Sequence, residues 1–402
     1  MTQSITNASL LDIAPPKARV MKHLRSWIDR GTLSGGEPLP SERALAEKLD
    51  VARGTVRSAL EELVRQGVIS DGNGRRRVVQ KMSNGRSTAT GLMARTLGVV
   101  TGREHVITDR LTAPGFELFI ERGAFDAVFD AGLHGIKLYP DALRGDGVDH
   151  LIESRPMGVV FGRFPGDPEV GQAMVQAVAD AGIPVVLYGD TPFNDGFDRV
   201  MSDHEHGTYE LTRWLIGQGR RRIVRVWTDQ RRHDRWLQAR DRGYRRACDE
   251  AGVEPVEPIW LPAGVEHSLG QRDRFEQNVR WIGGYLIEHV VRGDAADALM
   301  MISDSDVYPA AAACRLFGRT PNQDVLIVGY DNYWPNLTDR QFEPITPAAT
   351  VDKLNLTLGQ ELVKLLIERV EGKLPEGPQA RVIEPQLIVP ESPFHPVTEV
   401  KT

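Results

Sequence analysis

Residues Leu39–Val79 read LPSERALAEKLDVARGTVRSALEELVRQGVISDGNGRRRVV, and this stretch decides the fold of the first part of the chain. Ser41 stands where a helix N-cap belongs, and Glu42 behind it has the sign that favours a helix start. Leu45 and Leu49 give that helix its apolar side. Asp50 to Arg53 turns the chain into another helix starting near Gly54, with Val56, Ala59, Leu60 and Leu63 at helical spacing on one face. Arg53, Gly54, Arg57 and Ser58 are left on the other. Two guanidinium groups one turn apart at a helix start can enter the major groove and fork onto guanine edges or phosphates. The glycine between them lets the backbone come close. After Gly67, Val68–Ser70 and Arg77–Gln80 can pair as a hairpin around Asp71-Gly72-Asn73-Gly74. The tip runs into Arg75-Arg76-Arg77, a basic wing suited to phosphate or minor-groove contact.

Upstream, a helix is expected from about Pro16 to Arg30, with Val20, Leu24, Trp27 and Ile28 on one face, Pro16 early in it and Gly31 at its exit. Residues 1–14 read as a loose leader. From Pro15 to Lys81 there are 14 Lys and Arg against 8 Asp and Glu, a net of +6; the whole chain carries −6, so the remainder carries −12. A small basic module on a larger acidic body is the charge pattern of a nucleic-acid reader with a second, separate function.

The chain has 402 residues, 41% hydrophobic and 26% charged, which is enough apolar material for two or three folded domains. No stretch approaches eighteen uninterrupted apolar residues, so no membrane span is expected. Met1 to Pro16 lacks a basic start followed by an apolar run, so export is not expected either. Cys248 and Cys314 are the only cysteines and lie far apart, which argues against a disulfide scaffold or a cysteine zinc site and fits a reducing cytoplasm.

Residues 81–95 (KMSNGRSTATGLMAR) are polar and small and read as a linker between a DNA-binding module, residues 15–80, and a body, residues 96–396. In the body, short apolar runs alternate with helical patterns: Leu97–Val100, Gly158–Phe161, Pro184–Tyr188, Arg222–Val226, Ala298–Ile302 and Val325–Gly329. That alternation predicts a parallel α/β fold. Val382–Val389 reads as a last strand. Ligands of such sheets bind beyond the carboxyl ends of strands, where Asp304 and Asp190 fall. An aspartate after a strand is equally a helix cap. Phe116, Trp236 and Trp334 could stack on a ring or fill the core. His204, His206 and His233 have no metal-ligand spacing and are expected at the surface.

Leu39–Val79 resembles the GntR-family winged helix-turn-helix. The matching residues are Leu39-Pro40-Ser41-Glu42-Arg43, Leu45-Ala46, Arg53, Thr55-Val56-Arg57, Ala59-Leu60, Leu63 and Gly67. Ala52 and Gly54 depart from it, standing where the family usually has a Ser or Thr cap and a Thr. The resemblance implies DNA contacts from Ser41, Arg43, Arg53, Gly54, Thr55, Arg57 and the wing residues Asn73, Gly74, Arg75 and Arg76. Three segments of the body resemble the LacI-family effector domain, which is related to periplasmic sugar-binding proteins. They are Val200–Gly207 with Leu215-Ile216 and Gly219–Ile223, Arg240–Ala247 with Ala251-Gly252, and Ile302–Ser305 with Pro321, Asp324-Val325 and Val328–Asp331.

That resemblance implies a type I periplasmic-binding-protein-like α/β domain, two similar lobes joined by three crossing strands. Asp304 would accept hydrogen bonds from a ligand, and Arg240 would donate to it from the opposite wall. Asp190, Phe116, Trp236 and Trp334 complete the expected effector set. The expected protein is a cytoplasmic homodimeric regulator that binds operator DNA under control of a small metabolite, a sugar or relative, with no cofactor and no membrane partner. A Rossmann-like enzyme with a fused DNA-binding head is the alternative. The chain has no Gly-x-Gly-x-x-Gly after a strand, no P-loop and no Gly-x-Ser-x-Gly to support it.

Overall fold

The computed structural model describes residues 16–29, 33, 39–65, 68–70, 77–79, 91–101, 115–162, 168–262, 270–291 and 295–390. The chain forms two compact units. The first runs to Arg95, with residues 154–157 grouped with it, and the second holds the rest from Thr96.

In the first unit, α1 (Pro16–Asp29), α2 (Glu42–Leu49) and α3 (Arg53–Arg65) are followed by β1 (Ile69–Ser70) antiparallel to β2 (Val78–Val79). Val20, Leu24, Leu39, Leu45, Val56, Ala59, Leu60, Leu63 and Ile69 form one buried core. Full burial of an aliphatic side chain stabilises by about 1.5–3 kcal/mol, so this short list carries the module. Ser41 caps α2, its Oγ accepting from the Ala44 N–H at 3.2 Å. Asp50 ends α2 in the left-handed region (φ 49°), and α3 begins three residues later at Arg53. The first turn of α3 rests on the Ala52 carbonyl instead of a side-chain cap, with the Thr55 N–H donating at 2.9 Å. Asn73, Gly74, Arg75 and Arg76 lie outside the described residues, as do residue 80 and residues 81–90 of the expected linker. Gly91–Arg95 form a short 3-10 turn.

The second unit has two lobes. β3 (Thr96–Val100), α4 (Phe116–Asp130), β4 (His134–Leu138), α5 (Gly147–Ser154), β5 (Gly158–Phe161), α6 (Pro168–Asp180), β6 (Val185–Tyr188) and β7 (Asp198–Ser202) build the first. The second holds α7 (His204–Gly217), β8 (Ile223–Thr228), α8 (Arg235–Ala251), β9 (Ile259–Leu261), α9 (Arg272–Val290), β10 (Ala298–Met301), α10 (Val307–Leu316) and β11 (Leu326–Val328). β12 (Thr350–Asp352) leads back to α11 (Asn355–Val370) and β13 (Ala380–Ile383) of the first lobe. β14 (Gln386–Ile388) then returns to pair antiparallel with β12. The chain thus crosses between lobes three times, as the resemblance implied.

Both large sheets are parallel throughout, in the orders β4-β3-β5-β6-β7-β13 and β9-β8-β10-β11. Helices cover both faces, so the central strands are apolar along their whole length: β3, β5 and β10 are buried at every position. In each lobe the strand order reverses at the first strand, between β3 and β5 and between β8 and β10. Those reversals open a crevice at the carboxyl ends.

The six apolar runs read from the sequence are all strands. β4, β7 and β9 were not anticipated, because HGIKL is an exposed edge, DRVMS alternates, and IWL is only three residues long. Val382–Val389 is not one strand. Glu384-Pro385 breaks it into β13 on the first sheet and β14 on the hinge, since proline cannot donate within a ladder.

Candidate functional site

On the first unit, burying Val56, Ala59, Leu60 and Leu63 turns the start of α3 outward. Arg53 and Arg57 are more than half exposed and one turn apart. Nothing lies within 4 Å of where a Gly54 Cβ would be, so no internal packing demands glycine there. Thr55 is half-buried, and Arg43 projects from α2 with its Nε 3.1 Å from Glu47. Sequence reasoning treated Glu42 only as a helix-dipole partner. The structure makes it the centre of the face. Arg57 donates from Nη2 at 3.0 Å and Nε at 3.2 Å, Arg53 Nε lies at 3.5 Å and Arg77 Nη1 at 3.6 Å. The Arg57 hydrogen bond is the largest influence on Glu42, and with the three guanidinium charges it outweighs burial and holds the carboxyl below its usual range.

On the second unit the residues singled out gather around the crevice, though not as expected. Asp304 follows β10 and is fully buried. It caps no helix: Oδ2 accepts from the Tyr333 N–H at 2.8 Å and the Trp334 N–H at 3.1 Å, and Oδ1 from Thr350 Oγ1 at 2.7 Å. A Cβ at Gly329 would overlap this carboxylate, which explains the glycine. Burial pushes the Asp304 carboxyl up to about 8, with the Thr350 hydrogen bond opposing and the Asp331 charge adding to it. Asp304 is therefore buried with both carboxyl oxygens already engaged inside the second lobe, a correction to the open acceptor expected.

Arg240 does not face Asp304 from the opposite wall. α8 follows β8, the parallel neighbour of β10, so both side chains belong to the second lobe, Arg240 on a helix and Asp304 on the short turn after β10. The Arg240 Nη1 donates to the Ile302 carbonyl at 2.7 Å, two residues before Asp304. Its guanidinium lies 3.3 Å from the Tyr330 ring centroid and 4.8 Å from that of Trp236, and its Nε points at His204 Nδ1 at 3.4 Å. His204 is buried here, not at the surface. It opens α7 just past the first crossing, where Tyr330 stacks on it. Burial first, then the Arg240 and Lys353 charges, push its pKa well down, so it is neutral. His206 is half-buried beside Glu384, and His233 is exposed.

The opposite wall comes from the first lobe. Phe116 opens α4 beyond β3 and packs against the second lobe's core. Lys353, missed by sequence reasoning, follows the second crossing. Its Nζ lies 3.7 Å from the Phe116 ring centroid, 2.8 Å from Asp331 Oδ1 and 3.4 Å from the Tyr188 hydroxyl, so it touches both lobes. Burial alone would lower Lys353, but Asp331 and Tyr188 hold it above the usual lysine value. The only sequence signal was a charged pair, Asp352-Lys353, inside an apolar stretch.

Asp190 ends β6 half-buried, and burial raises its carboxyl. Its carbonyl is 3.5 Å from Arg235 of α8, which also bonds Asp195 at 2.9 Å across the lobes. Trp236, the next residue, donates to Asp234. Trp334 is half-buried against the second lobe's core, and its indole N–H has no hydrogen-bond partner among the described residues. No group of three His, Cys, Asp or Glu suited to a metal ion occurs among those residues, and no helix there is long and apolar enough to cross a membrane.

Residues 16–79 match the bacterial regulatory proteins of the gntR family, and residues 212–392 match the periplasmic binding protein-like domain. The chain joins a GntR-family DNA-binding domain to a periplasmic-binding-protein-like domain. The HTH-type transcriptional regulator CelR of Thermobifida fusca is 29% identical over 221 residues, 54% of this chain and 58% of CelR. The arabinose metabolism transcriptional repressor of Geobacillus stearothermophilus is 23% identical over 385 residues, 93% of this chain and 96% of that repressor. The chain thus matches little more than half the length of CelR but nearly all of the arabinose repressor. Among solved structures, the CelR–cellobiose complex superposes with a TM-score of 0.57 and 21% identity, covering 87% of this chain and 99% of that one. The GntR-type head and the LacI-like body are therefore shared with regulators, the body as a fold.

Proposed function

We propose that this protein is a cytoplasmic transcriptional repressor, a homodimer whose GntR-type heads bind a two-fold operator and whose LacI-like bodies bind a sugar in the crevice. The observation that carries the reading is the outward start of α3. Arg53 and Arg57 are exposed around a glycine that no internal packing requires, on the same chain as a two-lobed crevice lined by charged and aromatic groups. Arg43, Ser41, Thr55 and the wing residues Asn73, Gly74, Arg75 and Arg76 complete the DNA contacts, with the wing on phosphate or the minor groove. One winged module makes a small interface, and two half-sites supply the selectivity.

A sugar has hydroxyls that donate and accept around an apolar ring face. The crevice offers a matching set: the Arg240 guanidinium, the Lys353–Asp331 pair, and the Phe116 and Trp236 rings, with Trp334 beside them. Asp304 and Asp190 flank it. The CelR complex with cellobiose and the arabinose metabolism repressor support this ligand class, and the relatives' names support regulation over catalysis. A sugar that bridges the lobes shifts their closure, and with it the spacing of two heads in a dimer. Footprinting with the full-length protein, with and without a panel of neutral sugars, tests this. The expected result is a two-fold protected site that one sugar weakens or strengthens at least tenfold. Protection of a single asymmetric half-site at tight affinity, or turnover of the sugar without any DNA protection, overturns it.

A further inference from the structure

We infer that Glu42 is the positioning residue that sets how selectively the head reads DNA. The inference rests on the DNA-binding reading and goes beyond it, because Glu42 need not touch a base to act. One carboxylate, itself only 22% exposed, gathers guanidinium groups from two elements: Arg53 and Arg57 from α3, and Arg77 from the residue before β2. The backbone supports the junction, since the Leu39 N–H donates to the Arg77 carbonyl at 2.8 Å.

Each guanidinium has five N–H donors in a planar fork. Glu42 takes the Nε–Nη2 edge of Arg57 and the Nε of Arg53. The edge of each fork left over is the one that reaches a guanine or phosphate oxygen in bidentate form. Three like charges this close would otherwise spread apart, so the carboxylate both clusters them and fixes which edge points outward. Glu42 also places a negative charge beside any phosphate that approaches. Binding to phosphate alone is thereby weakened on every sequence, whereas a correct base pair repays the arginines through oriented hydrogen bonds. Glu42 thus acts in two separable ways, by its charge and by its reach.

The test uses full-length protein, the duplex that the wild type enriches from a random library, and a scrambled duplex of the same length and composition. Glu42→Gln removes the charge. Its affinity for the scrambled duplex should rise about threefold or more, and the slope of log K against log salt there should steepen by about 0.9, one further phosphate neutralised. The ratio of selected to scrambled affinity should fall about tenfold. Glu42→Asp keeps the charge but shortens the reach, so the scrambled slope should stay while the ratio still falls. A ratio within twofold of the wild type in Glu42→Gln overturns the inference. So does equal weakening on both duplexes with an unchanged salt slope, which would mean only that α2 is damaged. If Glu42→Gln does not fold, Glu42→Asp decides alone, and an unchanged ratio there is fatal. Failure of the wild type to enrich any duplex sinks the DNA-binding reading instead.

Discussion

The α3 face and the effector crevice use the same chemistry under opposite conditions. Each sets carboxylates among cations. At Glu42 the arginine partners are 65%, 55% and 22% exposed; at the Lys353–Asp331 pair the side chains are 4% and 5% exposed. Water and salt screen the first cluster, so its pairs add little to stability and exchange readily for phosphate oxygens. The second is out of water, and removing one member strands an unpaired charge. One arrangement suits a surface that must release its partners to bind something else. The other suits a joint that holds two lobes in a defined relation.

Lys353→Met tests that contrast where the effect is greatest. It leaves the Asp331 carboxylate buried alone, and the body should lose about 3–5 kcal/mol in urea or thermal unfolding. Adding Asp331→Asn should restore most of the loss. If Lys353→Met alone unfolds like the wild type, the pair is not a structural joint. Asp304→Ala comes next. It strips the acceptor from the Thr350 hydroxyl and the Tyr333 and Trp334 N–H groups, at about 1–3 kcal/mol of body stability. Sugar affinity should fall at least tenfold by calorimetry, while DNA binding without sugar persists. Unchanged sugar affinity would show that Asp304 braces the Tyr333–Trp334 turn without supporting the ligand site.

On the exposed side, Arg53→Ala and Arg57→Ala should each weaken the selected duplex by roughly ten- to a hundredfold with no change in unfolding midpoint. A shifted midpoint would mean these pairs carry structure, and the contrast with the crevice would collapse. The smallest effect expected is at His204. Its native pKa lies well below 6.5 because it is buried beside Arg240, so the unfolded chain takes up a proton first as pH falls. Its contribution therefore leaves stability unchanged above pH 6.5 and lowers it below. His204→Gln should flatten that part of a stability–pH profile; an unaltered profile would show that His204 titrates normally.

The sequence by itself determined the helices of the first unit, the six apolar core strands of the second, and which face of α3 turns outward. These follow from local periods: Val56, Ala59, Leu60 and Leu63 can face inward together only on a helix, and that alone turns Arg53 and Arg57 out. Runs such as Ala298–Ile302 are strands because nothing shorter-range can bury them. The sequence also marked Asp304, which follows a recognisable strand, and the family resemblance marked Arg240, which lies within α8. Only the tertiary structure decided which residues meet. Arg77 reaches Glu42 because the wing strand returns beside α2. Lys353 reaches Tyr188 because a crossing strand brings it between lobes, 165 residues away in sequence. Asp304 and Arg240 share a wall because β8 and β10 are neighbours in a sheet whose order no local pattern encodes. Periodicity reports which face of an element is apolar. It holds no information about the element on the other side, and a charge takes its meaning from that neighbour.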